Sequence, residues 1–153
     1  MGIIKLLLQN KVLITAAVAW CTAGIIKMII EFIVYKRLSF ERIIGAGGMP
    51  SSHTATVVAL ALVTGYDQGI TSVSFAITVI FAIVVIHDAV GVRLETGKQA
   101  KVLNTMMFDS KAFEDLDFEH QLKEYIGHTP AQALVGAVIG VFVAIIMILK
   151  LYK

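Results

Sequence analysis

The chain has 153 residues, of which 58% are hydrophobic, and its mean hydropathy is +0.83. A water-soluble domain of this length rarely carries so large an apolar fraction, so the composition indicates a protein embedded in a membrane. The formal net charge of +2 is too small to indicate a nucleic-acid partner, and the single cysteine, Cys21, excludes a disulfide framework.

The N-terminal part predicts one interfacial helix and one membrane helix. The opening segment, Ile3–Leu8, is short and apolar, and we interpret it as a helix that lies in the membrane interface. The next apolar segment, Val12–Tyr35, is long enough to span about 30 Å of hydrocarbon. It contains Lys27 and Glu31 one turn apart. These form either a local ion pair near the membrane boundary or part of a functional site, because charges inside a membrane are costly.

Two further apolar segments occupy the middle of the chain. Thr54–Tyr66 has only 13 residues, so it predicts a short, partly buried helix whose missing length is supplied by a preceding loop that dips into the membrane. Ile70–Val92 is a full span that ends with His87 and Asp88. We expect His87 to be an ordinary interfacial histidine.

The last apolar segment, Thr129–Leu149, is also a full span, and Gly136 and Gly140 give it a face for close helix packing. The polar residues 93–127 before it predict a lid that belongs to the same domain. The sequence therefore predicts an all-α integral membrane helical bundle, a single domain over residues 1–153 with about four membrane helices and a polar lid.

Four crossings place the loop before Thr54, the end of the third segment and the start of the fourth on one side of the membrane. Counting the basic residues outside the spans gives eight on this side and four on the other. Because basic residues favour the cytoplasm, we expect this side to face the cytoplasm, with the chain in the cell (inner) membrane.

The segment GGMPSSHT, Gly47–Thr54, combines flexible backbone with two hydroxyls and a histidine at the start of a helix. Backbone N–H groups at Gly48 and the positive end of the helix dipole favour an anion such as phosphate. Pro50 suits the first helical turn, and Ser51 or Ser52 can cap it. The alternative interpretation is a glycine turn and a capped helix beside an incidental His53.

The segment GHTPAQALVGAVIG, Gly127–Gly140, places a second histidine at a helix start, because Pro130 marks the first turn. His128 and His53 would then lie at two helix ends on one side of the membrane. Two histidines in this arrangement can supply a nucleophile and a general acid for phosphoryl transfer.

These two segments and DAVGVRLETGKQAKVLN, Asp88–Asn104, resemble the divergent branch of the type-2 phosphatidic acid phosphatase family, which is related to acid phosphatases and vanadium-dependent haloperoxidases. With the apolar helix that carries Lys27, the resemblance covers nearly the whole chain. The wider family hydrolyses phosphate monoesters, often on lipids, without a metal.

The resemblance implies a role for each matching residue. His128 would be the nucleophile that accepts the phosphoryl group, and His53 would protonate the departing alkoxide. Phosphate oxygens would be bound by Ser51, Ser52, the Gly48 backbone and Lys27. Asp88 would anchor Arg93 or orient a histidine, and Arg93 and Lys98 are candidates for further positive charge. We expect no metal and no other cofactor.

The chain departs from the family pattern at Gln132, four residues after His128, where the family has a carboxylate. One helical turn separates the two side chains, so the amide oxygen could accept from the imidazole without supplying its charge. Three explanations are open: a weak or inactive member, a substitute carboxylate (Asp88 or Glu124), or a substitution that silences the enzyme.

The expected function is metal-independent hydrolysis of a lipid phosphate at the membrane face through a phosphohistidine, with membrane lipids and a lipid phosphate as partners. A non-catalytic lipid-phosphate binder or transporter that uses the same anion pocket is the alternative. A further alternative is a structural subunit whose Gly136–Gly140 face packs against a partner. A homo-oligomer is also possible.

Overall fold

The computed structural model describes residues 2–36, 48–109, 120–124 and 127–152. Gly47 and parts of the predicted lid, 110–119 and 125–126, lie outside the described residues. The described chain forms six α-helices in the order α1 (Ile3–Leu7), α2 (Lys11–Tyr35), α3 (Ser52–Gln68), α4 (Val73–Val90), α5 (Val92–Asn104) and α6 (Pro130–Leu151), with a π-helical turn over Thr105–Asp109 after α5.

The helix boundaries follow local capping chemistry. The Asn10 side chain accepts the N–H of Leu13 at the start of α2, and Ser72 does the same for Phe75 at the start of α4. At the start of α3 the cap is Ser51, so Pro50 precedes the helix rather than occupying its first turn. The sequence prediction that placed Pro50 in the first turn was therefore wrong by two residues.

Helix α3 lies at the centre of the bundle and packs against α2, α4 and α6. Small residues line its contacts, and the buried core contains Ala19, Ala59, Val143 and Ala144. Small side chains let helix backbones approach closely, which is how helices associate inside a lipid bilayer.

The Gly136–Gly140 face packs within the chain. A Cβ atom at Gly136 would collide with the Ser51 carbonyl oxygen, and one at Gly140 would lie 2.5 Å from the carbonyl oxygen of Ala55. These glycines therefore let α6 lie directly against the start of α3. Within the described structure α3 therefore occupies the Gly136–Gly140 face, which the sequence analysis offered to a partner protein; the possible homo-oligomer stays a prediction.

Three helical runs within the described residues have the length and apolar composition to cross a membrane: Lys11–Val34, Val73–Phe108 and Pro130–Leu151. The fourth predicted membrane helix corresponds to α3, which has 17 residues, about 25 Å, and is enclosed by the others. Large apolar side chains such as Ile29, Phe32, Ile80 and Phe142 are exposed on the outside of the bundle. This surface suits lipid, and the predicted all-α membrane bundle is confirmed.

Candidate functional site

Gly48, in the loop before α3, lies against the side chain of Lys27 on α2. Gly48 has a φ of +79°, a conformation that favours glycine, and a Cβ atom there would lie 3.0 Å from Cε of Lys27. Lys27 is eight residues before the end of α2 at Tyr35, about 12 Å along the helix axis. Gly48 therefore lies against the side chain of a residue about two turns before the end of α2, and the predicted dip of the loop into the membrane stays a prediction.

Lys27 and Glu31 are both buried, with exposed fractions of 2% and 8%. Burial of an ammonium group is costly unless other groups compensate for its lost hydration. Lys27 therefore lies in the interior, beside the Gly48 loop, rather than at the lipid boundary.

His128 is held against the junction between α4 and α5. Its backbone N–H donates to the Ala89 carbonyl at 3.0 Å, and its side chain is 3% exposed. Gly127 makes this docking possible, because a Cβ atom at that position would collide with the backbone of Leu94. The residue before the histidine must therefore lack a side chain.

The start of α3 is fastened to the start of α6. The Ser51 N–H donates to the Gln132 carbonyl at 3.3 Å, so the Gly48–Ser51 loop and the first turn of α6 form one unit. Lys27 and His53 both exert an electrostatic effect on His128. His53 is itself exposed and lies within electrostatic range of Lys27, Asp88 and Arg93. The structure thus brings together residues from all three sequence motifs and from α2.

Burial lowers the pKa of the His128 imidazole from its ordinary value of 6.5, and the positive charge of Lys27 lowers it further. The Gln132 side chain and the Gly48 backbone act in the opposite direction but more weakly. Within the described residues, Nδ1 of His128 is buried and makes no hydrogen bond. His128 is therefore mainly a neutral imidazole at pH 7.

The Gln132 side chain caps its own helix. Its Oε1 accepts the backbone N–H of Thr129 at 2.9 Å, while the Thr129 hydroxyl accepts the N–H of Gln132 at 3.3 Å. This reciprocal pair is a capping box, in which glutamate serves as well as glutamine. The Gln132 oxygen thus serves the helix cap, and the expectation that it also accepts from the His128 imidazole stays a prediction, consistent with the direction in which Gln132 acts on the His128 pKa.

The other candidate carboxylates are also engaged elsewhere. Asp88 forms an ion pair with Arg93, with 2.5 Å between Oδ2 and Nε. Glu124 accepts from the side-chain amide of Asn104 at 2.9 Å. Both carboxylates therefore have partners other than His128 among the described residues.

Ser51 and Ser52 differ in what they offer to a ligand. Ser51 is fully buried, and its Oγ accepts from both the N–H and the hydroxyl of Thr54. Ser52 is half-buried, and its hydroxyl makes no hydrogen bond to any described residue. Of the two, Ser52 is the more available hydroxyl.

Lys98 pairs with Glu95 at 2.7 Å on the exposed side of α5, and both side chains are more than half exposed. The charges that act on the two histidines belong instead to Lys27, Asp88 and Arg93. The structure therefore gives Lys98 a surface ion pair rather than a contact with the histidines.

Sequence reasoning missed two residues that position the site. The Asn104 side chain is buried and makes three hydrogen bonds, two to the backbone of Leu122 and one to Glu124, at 2.8–2.9 Å. These bonds hold the segment 120–124, which leads toward His128. Gly127 provides the close approach described above. The capping box, Thr129-x-x-Gln132, could have been read from its spacing, but the partners of Asn104 and Gly127 are distant in sequence.

Comparison with known proteins gives the same relationship as the motifs. A sequence profile described as the divergent PAP2 family matches residues 8–143, which is most of the chain. The Bacillus subtilis (strain 168) protein YuiD, whose name calls it an uncharacterized membrane protein, is 36% identical over 151 residues. That match covers 92% of this chain and 96% of YuiD. No solved structure matches the chain. The resemblance drawn from the three motifs is confirmed, and the chain belongs to the divergent PAP2 family.

Proposed function

We propose that this membrane protein binds the phosphate group of a lipid phosphate between His53 and His128, and hydrolyses it without a metal. The observation that carries the proposal is the position of Gly48. Its backbone lies beside both the buried Lys27 side chain and the His128 ring. A buried cation, a glycine with a positive φ and a buried imidazole nitrogen without a hydrogen bond are then close together.

An anion in this region would accept from the hydroxyl of Ser52 and lie near the positive charge of Lys27. Charge on a phosphoryl group in transfer is spread over three oxygens, so fixed cations and N–H groups stabilise the transition state. Arg93 supplies a second positive charge near His53, and it also forms an ion pair with Asp88.

The reaction would proceed in two steps. The neutral imidazole of His128 attacks phosphorus, an N–P bond forms, the P–O bond to the lipid breaks, and His53 gives a proton to the departing alkoxide. Water then attacks the phosphohistidine with His53 as the base, the N–P bond breaks, and inorganic phosphate leaves. The lowered pKa of His128 keeps it in the neutral, nucleophilic form at pH 7.

The position of the site indicates the substrate class. Gly48 contacts the side chain of Lys27, which is about 12 Å along the helix axis from the end of α2, and the outside of the bundle is apolar. A phosphate attached to an acyl or isoprenoid tail could reach the site while its tail stays in lipid. By the distribution of basic residues, we place this face on the cytoplasmic side of the cell membrane.

The binder or transporter remains the second candidate, and the Gln132 geometry favours it. Phosphoryl transfer creates positive charge on the imidazole, and no carboxylate contacts Nδ1 among the described residues. Burial and Lys27 also disfavour that charge. A site of this kind would bind a lipid phosphate well but transfer its phosphoryl group slowly.

Restoring a carboxylate at position 132 distinguishes the two candidates. A glutamate keeps the capping box, since one oxygen can accept from Thr129 while the other approaches Nδ1 of His128. The measurement is phosphate release from a panel of lipid phosphates, in detergent with a chelator present. The wild type, Gln132→Glu, and Gln132→Glu with His128→Ala are compared, and Gln99→Glu on the exposed side of α5 is the matched control.

We expect the wild type to be slow and Gln132→Glu to be faster, with the gain lost in the double variant. Robust hydrolysis by the wild type that requires His128 also supports an enzyme, and would show that Gln132 does not silence it. Silence from every variant across the panel, with binding of the lipid phosphate retained, would favour the binder or transporter. Activity that needs a divalent ion would contradict the metal-free chemistry.

A further inference from the structure

Helix α5 continues the chain beyond the point where α4 has crossed the membrane. Helix α4 has 18 residues, about 27 Å, which nearly matches the ~30 Å of hydrocarbon in a bilayer. The helical run Val73–Phe108 has 36 residues, about 54 Å, so a single crossing cannot contain all of it. Gly91 separates the two helices, and a Cβ atom there would lie 2.9 Å from the His87 carbonyl oxygen. We therefore expect α5 to begin at the membrane surface.

One side of α5 is covered by the protein itself. Gly97, Ala100 and Asn104 recur at helical spacing and are the buried residues of this helix. Asn104 bonds the segment 120–124 on that side. Among the described helices, α5 packs mainly against α4. The rest of its surface is therefore turned away from the core of the bundle.

The outer side of α5 carries large apolar side chains. Val92 and Val102 are 61% and 59% exposed, and Leu103 and Met106 are 47% and 48% exposed. Val92, Leu103 and Met106 share one side of the helix by their spacing. Exposed apolar side chains on an otherwise polar helix are typical of a helix that lies in the membrane interface.

Basic side chains border this apolar surface. Lys98 and Lys101 lie one turn apart, and both are exposed. Lys98 forms an ion pair with Glu95 at 2.7 Å, whereas Lys101 forms none within the part of the chain that the structure describes. A lysine stem can lie along apolar surface while its ammonium group reaches a phosphate. The charge of this side therefore complements an anionic lipid surface.

The apolar surface of α5 also continues that of α4. Ile77, Ile80 and Val84 of α4 are each more than half exposed, and they belong to the same helical run as Val92. Lipid that covers these side chains meets α5 next, at the level of its head groups. This continuity favours lipid over a protein partner as the occupant of the outer side of α5.

We propose that α5 lies on the bilayer surface as an interfacial helix that binds anionic phospholipid head groups. Its exposed apolar side chains would enter the region between head groups and acyl chains, and Lys98 and Lys101 would contact lipid phosphates. Arg93, in the first turn of α5, acts electrostatically on His53. The bound helix would therefore hold the histidine site near the level of the lipid phosphates. The proposal does not rest on hydrolysis at that site.

The depth of α5 is tested on the whole chain in phosphatidylcholine vesicles, with one tryptophan as the reporter. Trp20→Phe removes the chain's own tryptophan, and Leu103→Trp places the reporter on the outer side of α5. The vesicles contain lipid brominated either near the head group or near the chain end. We expect shallow bromine to quench the reporter more strongly than deep bromine, and aqueous acrylamide to quench it weakly.

Two further reporters in the same Trp20→Phe background calibrate the measurement. Ile80→Trp, on the lipid-facing side of α4, should be quenched most by deep bromine. Lys123→Trp, in the exposed part of the segment bound by Asn104, should be quenched by acrylamide and not by brominated lipid.

Head-group preference is measured in equal mixtures of the two lipids, with the bromine on either phosphatidylglycerol or phosphatidylcholine. We expect phosphatidylglycerol to be enriched about fivefold beside the Leu103→Trp reporter, the effect of one basic residue near an anionic surface. Lys98→Gln combined with Lys101→Gln should remove this enrichment. Lys150→Gln, in the last turn of α6, is the matched control and should leave it unchanged.

Three results would overturn the proposal. A Leu103→Trp reporter that acrylamide quenches and brominated lipid does not would make α5 a water-exposed lid. A reporter shielded from both quenchers would assign the outer side of α5 to a protein partner. An enrichment of phosphatidylglycerol that is absent, or that survives the double lysine substitution, would exclude the head-group contact. None of these results depends on lipid-phosphate hydrolysis.

Discussion

Gln132 and Thr129 cap the helix that follows His128, each side chain accepting the backbone N–H of the other. Position 132, which in the proposed mechanism would hold a carboxylate beside His128, therefore also caps a helix. Only residues that can accept from the Thr129 N–H can fill it without loss of the cap. Glutamine meets that need but supplies no charge to His128.

Removing the cap should destabilise the protein by a predictable amount. We expect Gln132→Ala to lower the unfolding free energy by about 0.5–1 kcal/mol, while Gln132→Glu keeps the wild-type stability. Thermal unfolding in detergent measures both, with Gln99→Ala as the control on an exposed helix face. Equal losses for Ala and Glu would show that the capping box does not stabilise α6.

His128 should make the stability depend on pH. Its pKa in the folded protein lies below the ordinary value of 6.5, so between these two values the unfolded chain binds more protons. The stabilisation that depends on neutral His128 is therefore fully present above about pH 6.5. It is lost as the pH falls from there through the lower, folded pKa. The measurement is the unfolding temperature from pH 8 to pH 5.

In the His128→Asn variant, the fall in unfolding temperature between pH 8 and pH 5 should be smaller than in the wild type. His87→Asn, at an exposed position on α4, is the matched control and should keep the wild-type slope. A wild-type slope in His128→Asn would assign the pH dependence to other groups.

The glycines at close backbone contacts should be intolerant of a methyl group. Gly127→Ala and Gly136→Ala each place a Cβ atom against backbone, so we expect a loss of about 1–3 kcal/mol. Gly24→Ala on α2 is the control, because a Cβ atom there meets nothing within 4 Å. Unfolding temperatures that match among the three variants would contradict these contacts.

Asn104 should control the order of the segment that leads to His128. Asn104→Ala removes three hydrogen bonds and leaves the polar groups of Leu122 without partners, which costs about 1–3 kcal/mol. A cysteine at Lys123, in a background without Cys21, should react faster with a thiol reagent in the Asn104→Ala variant. Gln99→Ala should leave the labelling rate unchanged. An equal labelling rate at position 123 with and without Asn104→Ala would contradict the proposed role of Asn104 in holding this segment.

Much of the fold was predictable because apolar runs and capping residues act locally. The spans that contain α2, α4 and α6 follow from length and hydropathy. The family was predictable because three separate motifs carry it.

The contacts that refine the site were less predictable, because they join residues distant in sequence. The approach of Gly48 to Lys27 and of Gly127 to Leu94 depends on how helices pack. The role of Gln132 was missed for another reason: its capping box is local, but the family pattern directed attention to the imidazole.

The most direct test of the shared phosphate site is a structure determined with tungstate, whose scattering identifies its position. We expect one oxyanion beside His128 and His53, within hydrogen-bonding distance of the Gly48 N–H, Ser52 or Lys27. The same experiment on His128→Ala should show the anion weakened or lost. An anion bound elsewhere, or a site that stays empty at millimolar tungstate in the wild type, would contradict the account.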